Sequence, residues 1–148
     1  MTAIAADNEI ISERMLSATP AQIFAAYRDP QRLARWWGPN GFSSTFHEFE
    51  FRAGGQWKFT LRGPDGVDYY NESEFVELVE PTRVVLDHLR PMHRFRMTMT
   101  FTPEAGGTRI MWRMEFETAD EVARIKSFVL DANQQNFDRL AAELAEQA

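Results

Sequence analysis

The chain has 148 residues, a formal net charge of −6 and no cysteine. That length fits one domain with one core. The lack of cysteine excludes a disulfide scaffold, a thiolate metal site and a cysteine nucleophile. The acidic balance, 16 Lys and Arg against 22 Asp and Glu, is the opposite of what a nucleic-acid binder needs. Aromatic residues stand out at 13%, with 12 Phe, 4 Trp and 3 Tyr.

The residues are read as a single domain, 1–148, with 1–8 expected as a disordered tail. Met1 to Ile11 has no basic segment followed by an apolar one, so no secretory signal is expected. The longest apolar run is Ile23 to Tyr27, far short of the roughly 20 residues a membrane span needs. The expected setting is the cytoplasm, without membrane or nucleic-acid partners.

Glu9 to Leu16 reads as a strand. Thr19-Pro20-Ala21-Gln22 reads as a helix start, with a Thr cap, a reciprocating Gln and Pro at the first helical position. Asp29-Pro30 begins a second short helix that ends near Trp36-Trp37-Gly38. The two tryptophans read as an anchor for the helix corner. One of them is free to line a pocket, because neighbouring helix positions do not share a face.

From Phe42 the period is two. Thr45, His47, Phe49 and Phe51 are assigned to one face, the inner one; Phe46, Glu48, Glu50 and Arg52 to the other. Trp57, Phe59 and Leu61 alternate with Lys58, Thr60 and Arg62. Asp68 to Glu80 is a long strand. Tyr69, Asn71, Ser73, Phe75 and Glu77 share one face, Tyr70, Glu72, Glu74, Val76 and Leu78 the other, and the pattern does not say which is inside. Val84, Leu86 and His88 form the next inner row. Phe95, Met97, Met99 and Phe101 follow, and then Ile110, Trp112, Met114 and Phe116 after the Gly106-Gly107 turn. Thr118-Ala119-Asp120-Glu121 reads as a second capping box. It opens a helix of more than 20 residues, whose apolar face includes Val122, Ile125, Val129, Ala132, Asn136, Leu140 and Leu144.

The element order is one strand, two short helices, six strands and a long helix. The fold class is therefore α+β, a seven-stranded antiparallel sheet whose aromatic inner face needs a cover. A single helix covers part of it, and a curled sheet need not be filled completely.

The stretch Thr19-Pro20-Ala21-Gln22-Ile23-Phe24, the Trp36-Trp37-Gly38-Pro39 corner, Phe51-Arg52-Ala53-Gly54-Gly55-Gln56-Trp57, Arg62-Gly63-Pro64-Asp65-Gly66 and Glu80-Pro81-Thr82-Arg83-Val84-Val85 together resemble the bacterial branch of the Hsp90-ATPase-activator-like family. That family lies within the START-like (Bet v 1-like) superfamily. Asn136-Phe137-Asp138-Arg139-Leu140 resembles its closing helix, where Gly-Trp is usual in place of Asn136-Phe137. The resemblance runs from about Ile10 to Leu144. It implies a helix-grip fold, in which a curved sheet grips the C-terminal helix around a cavity. The eukaryotic members, which stimulate a chaperone's ATPase, carry an additional N-terminal domain for which this chain has no room.

The expected ligand is a small apolar or aromatic molecule. Its expected cavity is lined by Trp37, Phe49, Phe51, Trp57, Phe59, Tyr69, Asn71, His88, Phe95, Met97, Met99, Trp112, Met114 and Val129. His88 and His47 are the candidate acid-base groups; His93 is expected in solvent at a turn. His47-Glu48 begins a His-Glu-x-x-His pattern, but position 51 is Phe, so no metal and no cofactor are expected. Arg94, Arg96, Arg109 and Arg113 are assigned to the outer face as a solvated row among acids. Two other functions fit the same pattern: an enzyme acting on an aromatic or polyketide-like substrate in the cavity, and a module that binds a chaperone or another protein.

Overall fold

The computed structural model describes residues 6–146. The strand of Glu9–Leu16 (β1) leads into two capped helices, Pro20–Arg28 (α1) and Pro30–Trp36 (α2). Thr19 Oγ1 accepts from the Gln22 amide at 3.1 Å, and Gln22 Oε1 accepts from the Thr19 amide at 2.8 Å. Two of the donors that would otherwise be orphaned at this helix start are thereby satisfied. Asp29 accepts from the Gln31 amide at 2.9 Å and starts α2 where Pro30 needs no partner. The Trp36 indole N–H donates to the Ala26 carbonyl at 3.1 Å, locking the two helices at their corner.

Six strands follow: Ser43–Phe49 (β2), Gln56–Arg62 (β3), Asp68–Val79 (β4), Arg83–Arg90 (β5), Phe95–Glu104 (β6) and Gly107–Phe116 (β7). The chain closes on the helix Ala119–Glu146 (α3). All pairings are antiparallel, and the spatial order is β1-β7-β6-β5-β4-β3-β2. The helices lie against the aromatic face of the sheet. Asn8, expected in the tail, pairs with Phe116 through both its backbone carbonyl and its side chain; residues 1–5 lie outside the described residues. Among the described residues no helix is long and apolar enough to cross a membrane.

Strict alternation holds along β3, β6 and β7. It fails on β2, and this corrects the expected inner face there. The register with β3 runs Phe46 to Phe59 and then Glu48 to Lys58, so His47 is an extra, bulged residue. A bulge shifts parity by one. Phe46 therefore points inward with Phe49, packing 5.5 Å from Trp57, while His47 turns outward and meets Thr60 Oγ1 at 2.8 Å. Past the strand end, Phe51 also lies inside, 5.2 Å from Phe75. Gly55 holds this hairpin closed, since a Cβ there would come within 2.0 Å of the Glu50 carbonyl oxygen.

β4 presents Asn71, Ser73 and Phe75 inward. A bulge at Val76 then lets Leu78 pack inward, instead of Glu77. The outer face is a mesh of ion pairs: Arg96 with Asp87, Arg109 with Glu104 and Glu13, and Arg113 with Glu9.

Helix α3 behaves as two halves. In its second half Asn133, Asn136, Phe137, Leu140, Glu143 and Leu144 are buried. Asn136 donates to the Trp36 carbonyl at 2.6 Å and accepts from the Gly38 amide at 3.2 Å, closing the end of α2. Glu143 takes two bonds from Arg35 and one from Arg32 at 2.8–3.0 Å. In the first half, nothing between Val122 and Asn133 is fully buried. There the helix stands off the sheet.

Candidate functional site

The stand-off leaves a cavity of about 450 Å³ between the first half of α3 and the inner face of β3 to β7. This is within the 300–1,000 Å³ range of small-molecule pockets. Its back wall is Phe59, Leu86, Met97 and Met114, its roof Ile125, Val129 and Ala132, and Trp37 closes the inner end. Met92 and Phe128, 82% and 74% exposed, stand at the mouth.

Of the residues expected to line a cavity, Trp37, Phe59, Tyr69, Asn71, His88, Phe95, Met97, Met114 and Val129 do so. Phe49, Phe51, Trp57, Met99 and Trp112 do not; they share the inner face but pack in the solid part of the core. The cause is the depth at which each sits. Trp112 packs 4.6 Å from Phe137 in the buried half of α3, the two rings tilted by 58°. The Trp112 indole N–H donates to the Tyr27 hydroxyl at 3.0 Å, and that hydroxyl donates on to the Met99 sulfur at 3.3 Å. Burial pushes the Tyr27 phenol far above its ordinary range, so it stays neutral. Trp57 is packed by Phe46, Phe49 and Phe75. His47, on the outer face, has no part in the cavity.

Three polar side chains sit together in the apolar wall. Ser73 on β4 is the cross-strand partner of His88 on β5, and Asn71 is two residues along the same face of β4. The Asn71 amide nitrogen donates to the Tyr69 carbonyl at 2.9 Å. His88 Nε2 lies 3.1 Å from the Pro91 carbonyl oxygen. A carbonyl only accepts, so Nε2 carries the proton and Nδ1 of the neutral ring keeps its lone pair. Burial lowers the His88 pKa; the Pro91 bond opposes this and the nearby His93 adds to it. The ring lies 4.7 Å from Phe95, nearly parallel to it at 18°.

His93 does not stand free in solvent. Its Nδ1 meets Glu121 Oε2 at 2.5 Å, and its ring lines the cavity. The same contact explains why the second capping box is only half made. Thr118 Oγ1 accepts from the Glu121 amide at 3.2 Å, but the Glu121 carboxylate is engaged with His93. The pair ties the β5–β6 loop to the first turn of α3. Phe42, Met92, His93 and Phe128 are lining residues that alternation does not identify, since each lies in a loop or at the edge of a helical stripe. Among the described residues, no cluster of three His, Asp or Glu is arranged to hold a metal ion.

A seven-stranded antiparallel sheet crossed by one long C-terminal helix, with two short helices after the first strand, is an α+β fold of the helix-grip type. Residues 17–145 match the family described as Activator of Hsp90 ATPase homolog 1-like protein, and the chain belongs to that family. Three solved structures illustrate the likeness. A protein of Nitrosomonas europaea is 17% identical, with a TM-score of 0.87 over 99% of this chain and 100% of that one. A protein of Chromobacterium violaceum is 25% identical, with a TM-score of 0.79 over 94% and 98%. The AHSA1 protein of Silicibacter pomeroyi is 20% identical, with a TM-score of 0.78 over 95% and 99%. No curated protein matches the chain.

Proposed function

We propose that this protein binds a small, uncharged apolar or aromatic molecule in the cavity beneath α3. One observation carries the reading: among the described residues, no Lys, Arg, Asp or Glu lines the cavity, in a chain that is 26% charged. A charged guest would lose its hydration and gain no counter-ion. An apolar guest would exchange water for Phe, Leu and Met side chains, the last of these able to adapt to its shape.

The direct test is titration with N-phenyl-1-naphthylamine, an uncharged dye that brightens in apolar surroundings. Saturable one-to-one binding is expected, together with a rise in melting temperature that grows with ligand concentration. Ala132→Trp places an indole in the cavity and abolishes binding without unfolding the protein. Failure of the wild-type protein to bind, or undiminished binding by a folded Ala132→Trp variant, overturns the proposal.

A further inference from the structure

The polar patch inside the cavity narrows the guest further, on the reading that the cavity binds a small molecule. We propose that Asn71, Ser73 and His88 form a hydrogen-bond-accepting subsite, and that the guest is an uncharged aromatic carrying a hydroxyl group.

Acceptors outnumber their donors in this patch. Asn71 and Ser73 are 93% and 98% buried, since their exposures are 7% and 2%, and both face the cavity. Buried polar side chains are almost always hydrogen bonded. The Asn71 amide can turn only its nitrogen toward the Tyr69 carbonyl, because two carbonyl oxygens do not bond. This fixes the amide with Oδ1 on the other side, where no described residue donates to it. His88 is fixed in the same way: the Pro91 carbonyl holds Nε2–H, and Phe95 holds the ring plane. Nδ1 is left as a lone pair with no donor among the described residues. Asn71, Ser73 and His88 all line the cavity, so a guest there is what can meet these unpaired groups.

The subsite therefore offers two fixed acceptors, Asn71 Oδ1 and His88 Nδ1, one hydroxyl that plays either role, and the second N–H of the Asn71 amide. Its complement is a donor. A carboxylate guest would set its oxygens against two lone pairs, and an ammonium guest would find no carboxylate in the wall. A hydroxyl on an aromatic frame satisfies both parts of the cavity at once. Its O–H donates to Nδ1 or Oδ1, its oxygen accepts from Ser73, and its rings lie against Phe95, Met97 and Val129. No covalent step is involved.

Naphthalene, 2-naphthol and 2-naphthoate form the test series, read by quenching of tryptophan fluorescence, with Trp37 in the cavity wall as the reporter. A purely apolar cavity would prefer naphthalene, because the hydroxyl of naphthol must give up its water. The subsite reverses that order. At pH 7.5, 2-naphthol is expected to bind at least about fivefold more tightly than naphthalene, and 2-naphthoate more weakly than either. Asn71→Leu and His88→Phe each bring the ratio of naphthol to naphthalene affinity toward or below one while retaining naphthalene binding. His88→Gln, which restores an amide oxygen, keeps part of the preference. Equal or better binding of naphthalene by the wild-type protein overturns the inference and leaves the cavity reading standing. So does an unchanged ratio in both folded variants. If none of the three compounds binds saturably, both the inference and the cavity reading fall. The wild-type ratio needs no variant to fold.

Discussion

The two halves of α3 make opposite energetic predictions, and Phe137 tests them most sharply. Its side chain is fully buried. One neighbour is the Trp112 indole at 4.6 Å, and the Arg14 guanidinium lies 5.7 Å from its ring centre. Phe137→Ala removes that ring from a packed site pinned by Asn133, Asn136 and Leu140 on the same helix, which leaves little room for collapse. Large-to-small changes of this kind cost about 3–5 kcal/mol, of which the aromatic pair accounts for roughly 1 kcal/mol. For a domain of this size the melting temperature should fall by about 10 °C or more. Val129→Ala, one half of the helix away, deletes two methyl groups that already border open space. It creates little new cavity and should cost at most about 1 kcal/mol. The assay is urea unfolding followed by far-ultraviolet circular dichroism, because tryptophan fluorescence would change through Trp112 itself. Equal costs for the two variants, or a Phe137→Ala cost below that of Val129→Ala, would refute the picture of a helix packed at one end and raised at the other.

Other perturbations separate structural from binding roles. Asn136→Leu leaves the Gly38 amide and the Trp36 carbonyl without their partner and should cost about 2–4 kcal/mol in urea unfolding. Glu143 is held below the ordinary carboxylate range by its bonds from Arg35 and then Arg32. Its contribution is complete above the unfolded carboxylate pKa and is lost as pH falls through the lower folded value. Glu143→Gln should therefore cost roughly 2 kcal/mol at neutral pH, with the gap to wild type closing in acid; a constant gap across that range would count against the pairing. The His88 pKa is lowered in the folded protein, so the unfolded chain binds the proton first. Stability is then full above about pH 6.5 and declines as pH falls from there toward the folded value. His88→Phe should flatten the profile in that window and weaken 2-naphthol binding, whereas His47→Ala, on the outer face beside Thr60, should leave ligand affinity unchanged. A binding loss in His47→Ala would contradict the bulge assignment.

The sequence showed the face of each residue better than its depth. On β6 and β7 the alternation of Phe95 to Phe101 and of Ile110 to Phe116 is unbroken, and every inner assignment there agrees with the structure. On β2 the assignment slipped because one extra residue inverts parity, and a period of two cannot reveal its own interruption. The signal was present in the spacing Phe46, Phe49, Phe51, where a step of three precedes a step of two. Phe75 and Leu78 carry the same mark for the bulge on β4. Depth is a different kind of information. Trp112 and Met114 are neighbours on one face of β7, yet the first meets Phe137 and the second meets the cavity. The distinction comes from where α3 leaves the sheet, and that is set by polar contacts far along the chain: Asn136 on the Trp36 carbonyl and Gly38 amide, Arg139 on the carbonyls of Gly38 and Pro39, and Glu143 between Arg32 and Arg35. These clamp the second half of α3 to α2 and the following loop. At the other end the clamp is His93 on Glu121, which holds the helix to a loop rather than to the face of the sheet. The second half of α3 is also fastened to the edge strand β1, through Asn133 on Ser12 and Arg14 on Gln134 and Asp138, so a helix held at that end and tied at its start only to a loop must span the space over the rest of the sheet. The cavity is that span, and the aromatic surplus of the sequence divides between the packed end of the sheet and its wall.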